Sequence, residues 1–458
     1  MTTHLPPAQE FSHKRALRAG FASFVGTAIE FYDFYVYATA AALVFPALFF
    51  PEGDPFLAVL SSFGIYAVGF FARPFGAIVF GHIGDRLGRR LSLMLTLVLM
   101  GVGTALVGVL PTYALVGIWA PILLVILRIA QGLAIGGEWG GAVLMSVENA
   151  PDKYKGFYGS FPQLGNPMGA LLAAGIFSLL TIGGDDFLMN GGWRIPFLLS
   201  IVLIGVGFWV RYAVEETPVF QEEAKRWKEE GVKPELPLKI AIKNNWRQML
   251  LAMGLIPIST GGYYIVTTFA TSYATDPGIS DINMPENTFL NVLSIAALCE
   301  LISTLFIGAL SDRIGRKRTF AIALVGTSLL AIPMFLSLEG DQLWLVFLLF
   351  AAVRVVMNGT WAPMASVLSQ MFAPDSRQTS LSFSYSLGNA IWAGLSPLVA
   401  TALYGLTGSI WSVIGMLAAM AALSLVCLAF APQRKDYIFD PKTVAVPTPD
   451  EQTPDVQK

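Results

Sequence analysis

Seven charged residues stand inside long apolar stretches of this chain: Glu30, Asp33, Arg73, Arg128, Glu138, Glu300 and Arg354. A charge at the centre of a membrane helix costs on the order of 3 kcal/mol on insertion scales, so each needs a partner or a task. Glu30 and Asp33 are three residues apart and share one helix face, which Tyr37 continues. Two close carboxylates do not both ionise in a low dielectric, so one holds a proton that responds to pH and to a nearby cation. That is the chemistry of a proton-coupled carrier. The competing reading is a structural pair bonded to neighbouring helices. Arg128 presents a planar fork matched to a carboxylate. It could bind a substrate anion, pair with Asp33 or Glu30 until that group is protonated, or form a structural ion pair. Gln131 lies one turn on and could share its face.

The remaining candidates are less determined. Arg73 precedes Pro74 and either snorkels toward the nearby loop or takes part in binding or coupling. Glu300 and Arg354 either pair with each other or face a cavity. Gly261-Gly262 interrupts an apolar run just before Tyr263 and Tyr264, and Asn166-Pro167 and Asn389 interrupt two others. Interrupted membrane helices often border binding sites, so the tyrosines and Asn389 are candidate cavity residues. No enzyme chemistry is visible. His4, His13 and His82 make no ligand pair, Cys299 and Cys427 sit in apolar runs as packing residues, and there is no phosphate loop. No metal, cofactor or nucleic-acid partner is expected.

The elements that must hold these residues follow from composition. Of 458 residues 55% are hydrophobic and 13% charged, against roughly 25% charged in a soluble domain. Apolar runs of about 20 residues, the length a bilayer demands, fall near 20–49, 57–81, 91–110, 115–147, 157–181, 194–213, 247–274, 288–310, 319–338, 343–371, 380–405 and 409–430. Backbone groups in hydrocarbon must be satisfied within the segment, so the runs are read as helices. The first run follows Lys14, Arg15 and Arg18 and contains Ala38-Thr39-Ala40, as a signal peptide would, but Glu30 and Asp33 do not belong in a secretory apolar region. It is read as an uncleaved first helix.

Basic residues give the orientation. One set of connections carries Arg86, Arg89, Arg90, Lys153, Lys155, Arg313, Arg316, Lys317, Arg318 and Arg377. The opposite set, 50–56, 111–114, 182–193, 276–287 and 338–342, carries no Lys or Arg. Both termini are therefore expected in the cytoplasm. The expected division is an N-terminal arm (1–19), a six-helix half (20–213), a charged central loop (214–245), a second half (246–431) and a disordered tail (432–458).

The halves repeat each other. Gly81-His82-Ile83-Gly84-Asp85-Arg86-Leu87-Gly88-Arg89-Arg90 follows the second run, and Gly308-Ala309-Leu310-Ser311-Asp312-Arg313-Ile314-Gly315-Arg316-Lys317 follows the eighth. Gln131-Gly132 matches Asn358-Gly359, and Gly165-Asn166 matches Gly388-Asn389. The aspartates can cap helix N-termini and pair with arginines, and the glycines allow tight turns and close approach. A duplicated six-helix unit places its site between the halves near the midplane.

The duplicated loop resembles the signature of the major facilitator superfamily. Ile29-Glu30-Phe31-Tyr32-Asp33-Phe34, Phe71-Ala72-Arg73-Pro74, Gly136-Gly137-Glu138-Trp139-Gly140-Gly141, Trp193-Arg194-Ile195-Pro196 and Glu215-Glu216-Thr217-Pro218 resemble the metabolite:proton symporter family within it. That family includes shikimate, α-ketoglutarate, citrate and proline/betaine permeases, and the glutamate-tryptophan run with Tyr264-Ile265-Val266-Thr267 looks most like the shikimate-type branch. The resemblance implies an all-α protein of twelve transmembrane helices in two halves, in the plasma (inner) membrane. It implies coupling roles for Arg128 and Glu138. It also implies a gating latch at the loop motifs, Gly81, Asp85, Arg86, Gly88 and Arg89 with Gly308, Asp312, Arg313, Gly315 and Arg316. The expected function is proton-coupled uptake of a small organic acid, such as shikimate or a di- or tricarboxylate, by a monomer, with the proton gradient in place of a cofactor. A proline- or betaine-like zwitterion is the alternative, although the tail shows no heptads. Proton-antiporting export is a further rival, but Gly165-Asn166-Pro167-Met168-Gly169 departs from the exporter signature.

Overall fold

The computed structural model describes residues 13–50, 55–181, 185–212, 216, 220–221, 225, 229, 237–275, 279–373 and 376–432. The expected disordered tail and most of the central loop lie outside them. Its long helices are α1 (His13–Leu43), α2 (Pro55–Leu87), α3 (Arg89–Val109), α4 (Trp119–Glu148), α5 (Gly165–Thr181), α6 (Arg194–Tyr212), α7 (237–275), α8 (Glu286–Ile314), α9 (Arg316–Leu338), α10 (Leu343–Trp361), α11 (Arg377–Thr407) and α12 (Ile410–Phe430). Nine helices among the described residues are long and apolar enough to cross a membrane, and these comprise α3, α4 and α6 to α12. The described residues form no strand.

Several boundaries depart from the sequence expectation for local reasons. α1 begins at His13, so the last part of the expected arm is helical. The fourth run starts at Trp119 because Gly117, at φ +57°, separates it from a short turn at Tyr113–Val116. The fifth starts at Gly165, because Lys155–Gly159 forms its own short helix and Pro162 opens a tight turn. The seventh starts at Pro237, well inside the expected central loop, where proline is pre-organised for a helix's first turn. It then passes through two wide turns, Ile258–Gly262 and Ile265–Phe269, before Ala270–Thr275. The tenth run stops at Trp361, and Met364–Ser369 follows as a separate helix after Pro363.

The loop motifs turn the chain in the same way in both halves. Gly88 (φ +113°) lies between α2 and α3, and Gly315 (φ +102°) between α8 and α9. Only glycine adopts such backbone readily. Elsewhere small residues let helices touch backbone to backbone. A Cβ on Gly136 of α4 would lie 1.9 Å from the Arg73 carbonyl oxygen of α2, and one on Gly132 would lie 2.3 Å from that of Gly69. With no hydrophobic drive between helices in lipid, this close packing holds a membrane bundle together. The exterior is apolar, with Phe71, Trp209, Phe306, Leu406 and Phe430 all exposed. Across the halves, α11 packs on α2 and α4, and α8 packs on the 155–159 helix and α5.

Candidate functional site

A central cavity lies between the halves. Its empty volume is about 550 Å³ with the open space at its mouth included. α1 contributes Glu30 and Phe31, α2 Arg73, α4 Ile135 and Trp139, and α5 Asn166. The second half contributes Ser259, Thr260, Tyr263 and Tyr264 from α7, Trp361 from α10, and Tyr385, Ser386 and Asn389 from α11. The Trp139 and Tyr385 rings stack across the halves at 3.6 Å. Tyr35 donates to Asn166 (2.7 Å), and its hydroxyl lies 3.3 Å from that of Tyr263. The broken course of α7 brings its tyrosines to this wall.

The buried charges occupy three settings. Asp33 is fully buried and accepts a 2.5 Å hydrogen bond from Ser200 of α6. The Thr104 hydroxyl lies close to Asp33 as well, and it accepts a bond from Gln131 (2.8 Å). Gln131 in turn accepts a 3.3 Å bond from Arg128, whose guanidinium lies 4.2 Å from the Tyr37 ring centre. A polar chain thus runs from Arg128 through Gln131 and Thr104 to Asp33. Glu138 accepts a hydrogen bond from the Thr96 hydroxyl. It also shares a small, almost wholly apolar gap with Glu30, Gly26, Met100 and Ile135. Glu30 therefore lines both that gap and the central cavity. In the second half Arg354 is ion-paired with Glu300, with Nε 2.9 Å from Oε2, and Asn358 caps the Glu300 carbonyl at 3.0 Å.

Of the residues expected to touch substrate, Arg73, Tyr263, Tyr264 and Asn389 are on the cavity wall. Tyr37, Arg128 and Gln131 lie together behind it, and Glu300 and Arg354 are occupied with each other. Arg354 still reaches the site indirectly, because its guanidinium sits 4.2 Å from the centre of the Tyr263 ring. Sequence reasoning did not single out Trp139, Trp361, Tyr385, Ser259, Thr260 or Ser386 as wall residues. Trp139 had a signal in its glutamate-tryptophan run. The others sit in apolar or serine-rich stretches with nothing to mark the face they present.

The loop motifs form a two-fold set of contacts that seals one end of the bundle. Asp85 accepts the backbone N–H groups of Gln378 (3.0 Å) and Thr379 (2.9 Å) and the Thr379 hydroxyl (2.8 Å), capping α11 of the other half. Arg89 holds the same carboxylate at 2.9 Å. Burial pushes the Asp85 carboxyl up from its ordinary value, and Arg89 and the Thr379 and Gln378 donors oppose the shift. Asp312 does the reciprocal work. It accepts the N–H groups of Gly156 and Phe157 (2.8 Å each) at the start of the 155–159 helix and pairs with Arg316 at 2.8 Å. Gly81 and Gly308 lie where these contacts are tightest. A Cβ on them would meet Thr379 Cα at 2.7 Å and Ser160 Oγ at 2.5 Å. Arg377 of α11 binds Glu148 at the end of α4 (2.9 Å) and so extends the seal. Glu216 adds a cap the sequence did not suggest, accepting the N–H groups of Arg89 and Arg90 at 3.1 Å each. Arg86 is half-buried and Arg313 is exposed.

Comparison with known proteins places this geometry. The chain is 40% identical over 413 residues to the inner membrane metabolite transport protein YhjE of Escherichia coli strain K12, covering 89% of this chain and 92% of that protein. It is 37% identical over 400 residues to the shikimate transporter of the same organism, covering 87% and 90%. In fold it resembles the proton:xylose symporter XylE bound to 6-bromo-6-deoxy-D-glucose, with a TM-score of 0.71 at 16% identity over 92% of this chain and 96% of that one. The family model for sugar (and other) transporters matches residues 19–440. With a cavity shared by two halves and a duplicated seal at one end, the chain belongs to the sugar (and other) transporter family, as a multi-pass membrane protein that carries small molecules.

Proposed function

We propose that this protein is a proton-coupled importer of a small organic acid in the inner membrane, working by alternating access through twelve spans with both termini in the cytoplasm. The observation that carries the reading is the position of Glu30. Glu30 lines the central cavity with Arg73, and it also lines the gap it shares with Glu138. Carboxyls so placed can take up a proton from the cavity and hold it away from bulk water. Asp33 belongs to the same mechanism through the chain that reaches Arg128. Protonation of a span-one carboxyl weakens its pull on that arginine and favours the substrate-bound state. The bundle then rocks about the site, and the Asp85 and Asp312 seal on the cytoplasmic side opens. A membrane potential adds about 2.3 kcal/mol per charge per 100 mV when net positive charge enters.

The test is uptake of labelled shikimate, α-ketoglutarate, citrate, proline and betaine into proteoliposomes, with and without an inward proton gradient. The proposal predicts that one compound accumulates only with the gradient, and that Asp33→Asn and Glu30→Gln each reduce this at least tenfold. Equal uptake without a gradient, or full accumulation in both variants, contradicts it. One feature favours a second reading. Phe31, Trp139, Trp361, Tyr263, Tyr264 and Tyr385 ring the cavity, and aromatic faces attract quaternary ammonium groups. Accumulation of betaine rather than the acids would select that zwitterion reading, and gradient-driven loss from loaded vesicles would select export.

A further inference from the structure

Three arginines reach the middle of the bundle, and they differ in what they hold. Arg354 is paired with Glu300. Arg128 lies behind the wall, on Tyr37 and Gln131. Arg73 is on the wall itself. Its guanidinium carbon is 4.2 Å from the Phe70 ring centre and 5.0 Å from that of Phe34. Among the described residues it makes no hydrogen bond or ion pair, and its Nε is buried without an acceptor. Aromatic faces steady a guanidinium but leave its in-plane donors unused. Those donors form a fixed fork that fits one carboxylate through two parallel bonds.

We propose that Arg73 is the carboxylate anchor of the central cavity and that the site accepts one carboxylate per substrate. This rests on the reading above that the cavity carries an organic anion. Among the described residues the other ionisable side chain on the wall is Glu30, a carboxyl that offers no cationic partner to a second carboxylate whether or not it holds a proton. The rest of the wall, among the described residues, is neutral: Asn166, Asn389, Ser259, Thr260, Ser386, Ile135 and the aromatic rings. These groups suit hydroxyls, a ring face or a methylated amine. They offer no charge to offset the desolvation of a second anionic group. Hydroxylated ring acids and carboxylated zwitterions therefore fit. Fully ionised di- and tricarboxylates do not.

The test is calorimetric titration of the purified full-length protein with shikimate, glycine betaine, α-ketoglutarate and citrate, and with the methyl esters of the first two. In wild type one monocarboxylate is expected to bind at least tenfold more tightly than its own ester and than either polycarboxylate. In Arg73→Gln the acid and ester are expected to bind within threefold of each other, while the ester keeps its wild-type affinity and so reports an intact site. Arg73→Lys, which keeps the charge but loses the fork, should retain part of the preference for the acid. An undiminished acid-to-ester ratio in Arg73→Gln overturns the proposal, as does a polycarboxylate that binds wild type as tightly as the monocarboxylates. Failure of every acid to bind wild type overturns it together with the functional reading. The other two results leave that reading in place.

Discussion

Arg354 and Glu300 show how a residue-level charge is decided by its partner. Each is nearly fully buried, and together they tie α10 to α8 beneath Tyr263. Removing one member of a buried pair leaves the other uncompensated, at a cost of about 3–5 kcal/mol, whereas removing both is far milder. Glu300→Gln is therefore expected to lower the melting temperature in detergent by several degrees, and the Glu300→Gln/Arg354→Met double variant to recover most of the loss. A single variant as stable as wild type would show that the pair contributes nothing. The charged residues were legible in the sequence because each stands against an apolar background. Their facing was not. Nothing in the spacing of Trp139, Trp361 or Tyr385 separates a cavity face from a packed one, because in a bilayer bundle both faces are apolar. The distinct settings of Asp33 and Glu30 were hidden for a related reason. One helix face can offer two neighbouring carboxylates to different partners, here Ser200 for Asp33 and the central cavity for Glu30.

At the scale of elements, run length exposed the helices, and local chemistry shifted their ends. Gly117 and Pro162 delayed α4 and α5, and Pro237 advanced α7. The two wide turns of α7 were only hinted at by Gly261-Gly262, because a glycine pair permits irregularity without fixing its form. The α2–α4 contact makes a sharper demand. Arg73 stands on α2 where Gly136 of α4 meets its carbonyl. A methyl group at Gly136 must push α2 away, and such overpacking typically costs about 1–3 kcal/mol. Gly136→Ala is expected to lower thermal stability and to weaken substrate binding at least fivefold by displacing Arg73. Gly175→Ala, where no atom lies within 4 Å of the added Cβ, should do neither. Equal behaviour of the two variants in a melting scan would remove the contact from the account.

The whole molecule is held shut at one end by contacts that each half makes on the other. Asp85 caps α11, Asp312 caps the 155–159 helix, and Glu148 holds Arg377. The repeat in the loop motifs marked Asp85 and Asp312 as residues able to cap helices and pair with arginines. It did not reveal the acceptor ends, because Gln378, Thr379, Gly156 and Phe157 offer backbone N–H groups that no motif records. Loss of a charge-assisted cap should release the seal. With spin labels at exposed Leu87 and Ile314, in a background lacking Cys299 and Cys427, Asp85→Asn is expected to broaden the distance distribution toward longer separations. An unchanged distribution would mean that the seal does not depend on that carboxylate.

All of these scales meet in the claim that protons and substrate enter together. The most direct measurement is the external pH of a lightly buffered proteoliposome suspension when the transported acid is added. The account predicts a transient alkalinisation that a protonophore abolishes and that Asp33→Asn fails to produce. Substrate entry with no pH change, or with acidification, would contradict it.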